Sequence, residues 1–421
     1  MKITHLSHSN SAGGAANFVS RVIESVDFVG MENELLGSSI KTGFNKAYIL
    51  SSTGNESFNL FKAKVSQTLD RKLRLFESTK QKTYKSPNLI GALRARNLNK
   101  LNNDLFHLHW VNGGLISIRQ IGKIDKPIIW TMLDMWPFLG SEHYLSETDS
   151  IRFISGYGKH NRPPEDKGLD LCRISWSLKS KYFKNISLVS PSKWLASQAR
   201  SSAIFNDHKI EIIPPPINTN QYSPSDKKQA KFKFKINDQS FIVGFLGGVA
   251  DRKGWKFIKE LCSYPDLNPN WKFLLAGAPF ANYSKFKEIN RTSILAGNIE
   301  SISDLVSFYS SIDVLIVPSV SEAYGLVAQE AQSCGVPVIT FSDTGTEDIV
   351  INNVTGYIVK QRSANGLLDS IKYLNSLSNE QRTKMSIASR TRAIEEWNYK
   401  TIGDRYFNFY SNVLDKKLSN S

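Results

Sequence analysis

Two carboxylates eight residues apart, Glu322 and Glu330, bracket the run Ala323-Tyr324-Gly325-Leu326-Val327-Ala328-Gln329. The apolar stretch 314–317, closed by Pro318-Ser319, predicts a strand before them. The residues after Gly325 predict the start of a helix. With helical geometry throughout, the two Glu backbones stand about 10–12 Å apart. That span suits one extended ligand held at two points. A helix N-terminus beside them offers N–H groups and positive potential to a phosphate. A glycosidase pair would need its carboxylates closer and across the scissile bond. The spacing alone decides nothing, because any helix presents such pairs; its flanks, ending in Cys334-Gly335-Val336-Pro337-Val338, make it specific.

A second cluster is Gly247-Gly248-Val249-Ala250-Asp251-Arg252-Lys253-Gly254, following the apolar run 241–246. A glycine turn carrying two cations into a helix suits a diphosphate. An exposed Lys-Arg pair is common, so the flanking glycines and strand carry the assignment. Near the amino end, Gly13 and Gly14 form a small-residue turn between a strand at 2–6 and a helix over 15–26, the opening of a nucleotide-binding α/β unit. Asp134 lies just past the strand 127–132 and is either an acceptor-side group or a cap. His107 and His109 flank Leu108 and share one strand face; His109 lines a ligand site or is a core histidine. Glu142 and His143 sit in a polar, Pro/Gly-containing loop, 137–175, long enough to suggest a functional role. No second cluster supports a metal there. Cys172, Cys262 and Cys334 have no metal or redox spacing and read as buried thiols in a reducing compartment.

These groups need strands and helices in alternation to position them. Further strands are expected at 46–50, 105–110, 186–189, 272–276, 337–341 and 356–359, with a helix over 386–418. Ser190 or Ser192 caps the helix after the strand at 186–189. The fold class is α/β with two doubly wound parallel-sheet domains, whose carboxyl edges form the ligand cleft. A chain of 421 residues exceeds one core. The stiff Pro214-Pro215-Pro216 run marks the boundary. The expected domains are 1–213 and 214–395, with a terminal helix, 396–421, open to crossing back onto the first.

The composition, 41% hydrophobic and 22% charged, is that of an ordinary globular protein. No apolar run reaches the eighteen residues of a membrane span, and no signal-peptide core follows Met1. A cytoplasmic location is expected. The net charge of +15 is uneven, with 11 basic and 2 acidic residues, hence +9, in 62–100 alone. There, Phe58, Phe61, Val65, Leu69, Leu73 and Phe76 recur at helical spacing. This predicts a long amphipathic helix over 58–101, lying on an anionic membrane or burying its apolar face in the core. No recognition motif accompanies the charge, so specific nucleic-acid binding is not expected.

The segment 322–338 resembles the signature of the retaining family 4 glycosyltransferases of GT-B fold (glycosyl transferases group 1). Similar stretches extend from Ala12-Gly13-Gly14-Ala15-Ala16 through 131–138, 189–195, 212–218 and 342–350, where the likeness is to the polysaccharide and O-antigen assembly subgroup. The resemblance implies transfer of a hexose from a UDP- or GDP-linked sugar to a glycan or lipid-linked acceptor at the inner membrane face, with retention and with neither metal nor cofactor. It assigns Glu322 to the sugar hydroxyls and Glu330 to the ribose. The backbone of Ala323, Tyr324, Gly325 and Leu326, with Gly13, Gly14, Gly247 and Gly248, falls to the sugar and diphosphate. Lys253 matches the cation facing the leaving group, and Arg252 stands in for an arginine that the family carries at the position of Gly248. Where relatives have His before the Asp of Asp134-Met135-Trp136, this chain has Leu133. That departure keeps two other readings open, a sugar-nucleotide epimerase and a non-catalytic nucleotide-sugar-binding scaffold.

Overall fold

The structure is a computed structural model that describes residues 1–9, 13–38, 47–49, 56–79, 83–145, 152–237, 239–265, 267–277 and 293–419. Ala12 of the glycine turn and residues 146–151 of the long loop lie outside the described residues. The chain forms two units, Met1–Pro216 with Ile402–Ser421, and Ile217–Thr401.

In the first unit the strands are β1 (Lys2–Leu6), β2 (Glu32–Gly37), β3 (Ala47–Ile49), β4 (Glu77–Ser78), β5 (Leu105–Leu108), β6 (Ile128–Thr131), β7 (Lys167–Gly168), β8 (Ile186–Ser190) and β9 (Ile210–Ile212). Seven make one sheet in the order β3-β2-β1-β5-β6-β8-β9, parallel throughout; β4 and β7 form a separate antiparallel pair. The second unit holds β10 (Phe241–Leu246), β11 (Trp271–Ala276), β12 (Ser293–Gly297), β13 (Val314–Val317), β14 (Val338–Phe341) and β15 (Gly356–Val359), parallel in the order β12-β11-β10-β13-β14-β15. Each sheet grows outward in both directions from its first strand. The strand order therefore reverses between β1 and β5, and again between β10 and β13. At such reversals the connections leave in opposite directions and open a crevice at the carboxyl ends of the strands.

Sequence period explains why the strands are buried on both faces. Ile242, Leu274, Leu315 and Val338 enter one apolar cluster, while their neighbours Val243, Phe273, Leu275, Val314, Ile316 and Ile339 enter the other. A side-chain period of two in an apolar run requires helices on both sides. Each such aliphatic group contributes about 1.5–3 kcal/mol on burial.

Local chemistry sets the element ends. Ser192, not Ser190, caps the helix Lys193–Arg200, its Oγ accepting from Leu195 N–H at 3.1 Å. The expected helix over 386–418 is two helices, Asn379–Glu396 and Tyr399–Ser419. Trp397 closes the first, and Asn398 opens the second, its Oδ1 accepting from Thr401 N–H at 2.9 Å. From Ile402 onward the last helix belongs to the first unit, where Tyr406 and Tyr410 are fully buried and Tyr410 bonds His107 Nδ1 at 2.7 Å.

The basic stretch 58–101 is helical only in part. A helix covers Glu56–Lys72, one 3₁₀ turn follows at Leu73–Phe76, and β4 comes next. The chain then runs irregularly through buried Lys85, Ser86 and Asn88, with Pro87 between them removing a helical donor. Asp70 fixes this turn-back by accepting from the N–H groups of Asn88, Leu89 and Ile90 at 2.8–3.1 Å. The apolar stripe of the helix faces outward: Phe61, Val65, Leu69 and Phe76 are exposed, and Leu75 is 81% exposed, whereas Ala63 and Asp70 turn inward. This decides against a core-facing apolar face. Among the described residues, no helix is long and apolar enough to cross a membrane.

Candidate donor and acceptor sites

Glycine geometry builds the site in the second unit. Gly254 has φ +73°, and a Cβ there would overlap the carbonyl of Pro318. Only glycine lets the 3₁₀ turn Asp251–Lys253, which leads into the helix Trp255–Cys262, press against the end of β13. Val320 N–H donates to Arg252 O at 2.8 Å and locks the two loops together. Arg252 and Lys253 thus meet Glu322. Arg252 Nη1 donates to Glu322 Oε2 at 3.2 Å and to Ser321 O at 3.0 Å, and Lys253 Nζ donates to the same Oε2. Burial pushes the Glu322 carboxyl up, but the charges of Lys253 and then Arg252 outweigh it and hold the group below its ordinary value. Both cations keep about a third of their side-chain surface in solvent. Two cations against one carboxylate leave +1 at the β10/β13 reversal, where an anion would bind.

Glu322 lies in the turn before the helix rather than on it. The helix runs Leu326–Ser333 and is entered through Gly325 at φ +102°. The expected turn at 321–325 and the helix start after Gly325 are both observed, so the spacing of about 10–12 Å that continuous helix would give does not apply to Glu322 and Glu330. Ala323 and Tyr324 are buried, and the Tyr324 ring belongs to the core. Leu326 opens the helix, half-buried. Glu330 is buried, and its Oε2 accepts from Tyr309 O–H at 2.6 Å. Burial and then the Glu330 charge push the Tyr309 hydroxyl well above its usual range. Gly247 N–H donates to Ala276 O at 2.9 Å, and Gly248 O accepts from Ala250 N–H at 2.9 Å, closing the turn after β10.

Two further groups support the loop that carries Glu322. Gly345 N–H donates to Glu322 O at 2.8 Å, and a Cβ at 345 would overlap Ala323 O. Arg362 binds Val320 O at 3.0 Å, Ser342 O at 3.2 Å and Asp343 O at 2.9 Å, joining the loops after β13 and β14. Gly345 lies within the 342–350 run of the family resemblance, whereas Arg362 has no local signature, since it acts across distant segments.

In the first unit, Gly13 and Gly14 open the helix Gly13–Phe28, exposed, with space beside both Cα atoms. Leu133 packs on Val19, Ile23 and Leu35, in an apolar niche beneath that helix. Asp134 and His143 come together although nine residues apart, with Oδ2 2.6 Å from Nδ1. His143 Nε2 is 2.9 Å from Ser86 Oγ, and Asp134 Oδ1 accepts from Trp136 N–H at 2.9 Å. Tyr84 and Trp110 flank the imidazole at ring distances of 4.9 and 5.8 Å.

Two acceptor-side expectations change. His109 does not line a surface: it is fully enclosed, its Nε2 3.0 Å from His5 Nδ1, on the sheet face that also carries His107. Glu142 is buried, its Oε2 3.4 Å from Tyr157 O–H. Strand alternation put His109 on the inner face, and the turn at Gly140 drew Glu142 inward.

His5, His107 and His109 have ring nitrogens within 4.8 Å of one another, as do the ligand atoms of Glu77, Asp170 and Cys172. Tyr410 and Thr131 occupy both nitrogens of His107. Burial lowers His5 to about 3 and His107 and His109 well below the ordinary histidine value, so the rings are neutral. Asp170 pairs with Arg152 and Glu77 with Lys85, and burial raises the Cys172 thiol well above its usual range. Cys172 Sγ lies 3.1 Å from Ser141 Oγ, while among the described residues His5 Nε2 and His109 Nδ1 are buried without a hydrogen-bond partner.

Comparison with known proteins follows the second unit most closely: residues 226–392 match the glycosyl transferases group 1 family. The D-inositol 3-phosphate glycosyltransferase of Kribbella flavida is 24% identical over 39% of this chain and 42% of its own length. The lipopolysaccharide 1,2-N-acetylglucosaminetransferase of Salmonella typhimurium is 21% identical over 78% of this chain and 91% of its own. The chain spans 36–50% of the length of the first three curated relatives it matches. In three dimensions, the HepE protein of Anabaena, solved with UDP-glucose, superposes with a TM-score of 0.64 over 100% of both chains at 14% identity. The architecture is that of the GT-B class, two parallel-sheet α/β units.

Proposed function

Because residues 226–392 are a glycosyl transferases group 1 domain, we propose that this protein transfers a hexose from a UDP- or GDP-linked sugar to a hydroxyl of a glycan or lipid-linked glycan in surface polysaccharide assembly. The anomeric configuration is retained and no metal takes part. The observation that carries this reading is the convergence of Lys253, Arg252 and Glu322 at the β10/β13 reversal. The first unit takes the acceptor.

Departure of a nucleoside diphosphate concentrates negative charge on the leaving oxygen. Lys253, Arg252 and the N–H groups of the helix Leu326–Ser333 stabilise it. Glu322, already desolvated and ionised, aligns the two cations before the ligand arrives and turns its carboxylate to the sugar hydroxyls on binding. Tyr309 fixes the orientation of Glu330, which holds the ribose. The diphosphate contacts the turn at Gly247-Gly248. Attack occurs on the face from which the leaving group departs, assisted by its phosphate, so retention needs no enzymic nucleophile. HepE, solved with UDP-glucose, supports a uridine donor as the first to test. The exposed apolar stripe of the helix Glu56–Lys72, bordered by Lys62, Lys64, Arg71 and Lys72, holds the enzyme on an anionic inner-membrane surface where lipid-linked acceptors are presented.

A thermal-shift panel of nucleoside diphosphates and their sugars tests the reading. A ligand at a hundred times its Kd adds about 2.7 kcal/mol to the folded state. We expect one nucleotide series to stabilise the protein, and EDTA to leave both that shift and transfer unchanged. No shift with any UDP- or GDP-linked sugar would refute the donor assignment.

A further inference from the structure

The helix Glu56–Lys72 and the 3₁₀ turn Leu73–Phe76 lead into β4 beside a cavity of about 510 Å³. Arg71 and Arg74 line it, and the Lys85–Glu77 pair, Nζ 3.1 Å from Oε2, is part of its wall. The two arginines are three residues apart at the end of the helix and so lie on one side of it. Among the described residues neither guanidinium has a carboxylate partner. Three cations and one carboxylate leave the wall with a net charge of +2. An arginine presents a planar fork of donors that fits two phosphate oxygens at once, and exposed Ser78 adds a hydroxyl donor.

The backbone around the cavity is held in place before any ligand arrives. Asp70, next to Arg71, accepts from the N–H groups of Asn88, Leu89 and Ile90. Gly168 has φ +73°, and a Cβ there would overlap Phe76 O, so only glycine lets β7 approach β4 this closely. Leu169 N–H donates to Phe76 O at 2.8 Å, and Arg162 donates to Gly168 O at 2.9 Å and Lys167 O at 3.0 Å. Arginines on such a support lose less freedom on binding an anion. The rim is apolar. Leu75 belongs to the wall and is 81% exposed. Phe76 follows it, Leu169 bonds Phe76 and Tyr84 precedes Lys85; all three are exposed. Cations beside exposed apolar side chains match the boundary of a bilayer, where phosphate lies between acyl chains and water.

We propose that this cavity takes the phosphate monoester of a single membrane lipid while Leu75 and Phe76 enter the acyl region beside it. This rests on the membrane assignment made above for the same helix and is independent of the transfer chemistry. A phosphate monoester carries a charge of about −1.5 to −2 at neutral pH and has three open oxygens, which complements the wall. A phosphodiester headgroup offers less charge and one oxygen fewer. A free phosphate would satisfy the arginines but leave Leu75 in water, so the occupant is a lipid. A diffuse basic surface responds to charge alone, whereas two arginine forks in a cavity distinguish headgroups on surfaces of equal charge.

The test is sedimentation of the full chain with phosphatidylcholine vesicles that carry either phosphatidic acid or phosphatidylglycerol, matched in surface potential. The wild-type protein is expected to bind the phosphatidic acid vesicles about tenfold more tightly. Arg71→Lys combined with Arg74→Lys keeps the charge and loses the forks. It should erase that preference and bind phosphatidylglycerol vesicles as before. Lys64→Gln combined with Lys72→Gln, outside the cavity, should weaken binding to both vesicles and keep the preference. All four side chains are exposed, so the unfolding temperature should not change. No preference in the wild-type protein, or one that the arginine variant retains, would overturn the cavity's role and leave the membrane assignment standing. No binding to either vesicle would overturn both. A thermal shift with inorganic phosphate that the arginine variant loses, without any vesicle preference, would make the occupant a soluble anion and overturn the lipid proposal.

Discussion

Glu322 accepts from two cations through a single oxygen, so under the proposed function it places charge as much as it contacts a substrate. Replacing Lys253 with Ala leaves Arg252 as its partner and removes one of the two charges facing a diphosphate. Transfer is expected to fall 10²-fold or more with little change in unfolding temperature, because Lys253 is partly exposed. Glu322→Gln should behave likewise; normal turnover in both variants would refute the site. Gly254→Ala is predicted to act differently. Its φ of +73° and overlap with Pro318 O should cost about 1–3 kcal/mol and weaken nucleotide binding together, measured by urea unfolding and titration of the same samples. The residues around Glu322 were legible in sequence because glycines, cations and carboxylate lie in short runs. Ser86 was not, since it meets His143 from 57 positions away and has no motif of its own. His109 has correct strand phase but an inward face, which alternation alone does not reveal.

At the scale of elements, the amphipathic helix Glu56–Lys72 gives the sharpest test. Phe61, Leu75 and Phe76 are exposed, so changing all three to Ser should leave stability unchanged and reduce sedimentation with phosphatidylglycerol vesicles. Each apolar side chain that enters lipid contributes about 1.5–3 kcal/mol, and each nearby Lys or Arg about 1 kcal/mol. Binding that ignores both lipid charge and salt would remove the membrane assignment. Most strands were legible as apolar runs between turn residues. β2 was not, because its first three residues, Glu32-Asn33-Glu34, are polar; Lys2 lies 3.7 Å from Glu32 and from Glu34, and Thr4 O–H donates to Glu34 at 2.8 Å. β12 is half-buried along its length at the sheet edge, which weakens the apolar signal. The end of the Glu56–Lys72 helix was missed because helical spacing persists through Phe76, while the reversal is set by Asp70 and Pro87.

On the scale of the whole molecule, acid stability follows from the imidazoles enclosed in the first unit. Burial holds His5 at about 3 and His107 and His109 well below the 6.5 of the unfolded chain; His8 is lowered as well. A depressed folded value means that only the unfolded state takes up the proton just below pH 6.5. Stability is therefore complete above that pH and declines as pH falls toward 3, by about 1.4 kcal/mol per pH unit for each histidine. Urea unfolding at pH 7 and pH 5 should show the loss, and His5→Asn should make it shallower. An equal midpoint at both pH values would contradict the neutral cluster.

Arg362 has another consequence. By gripping Val320, Ser342 and Asp343 through their carbonyls, it makes the loops after β13 and β14 one inheritable cassette. Exchange of sugar preference with a related protein should therefore succeed when both loops and this arginine are transplanted together, and fail when either loop is moved alone.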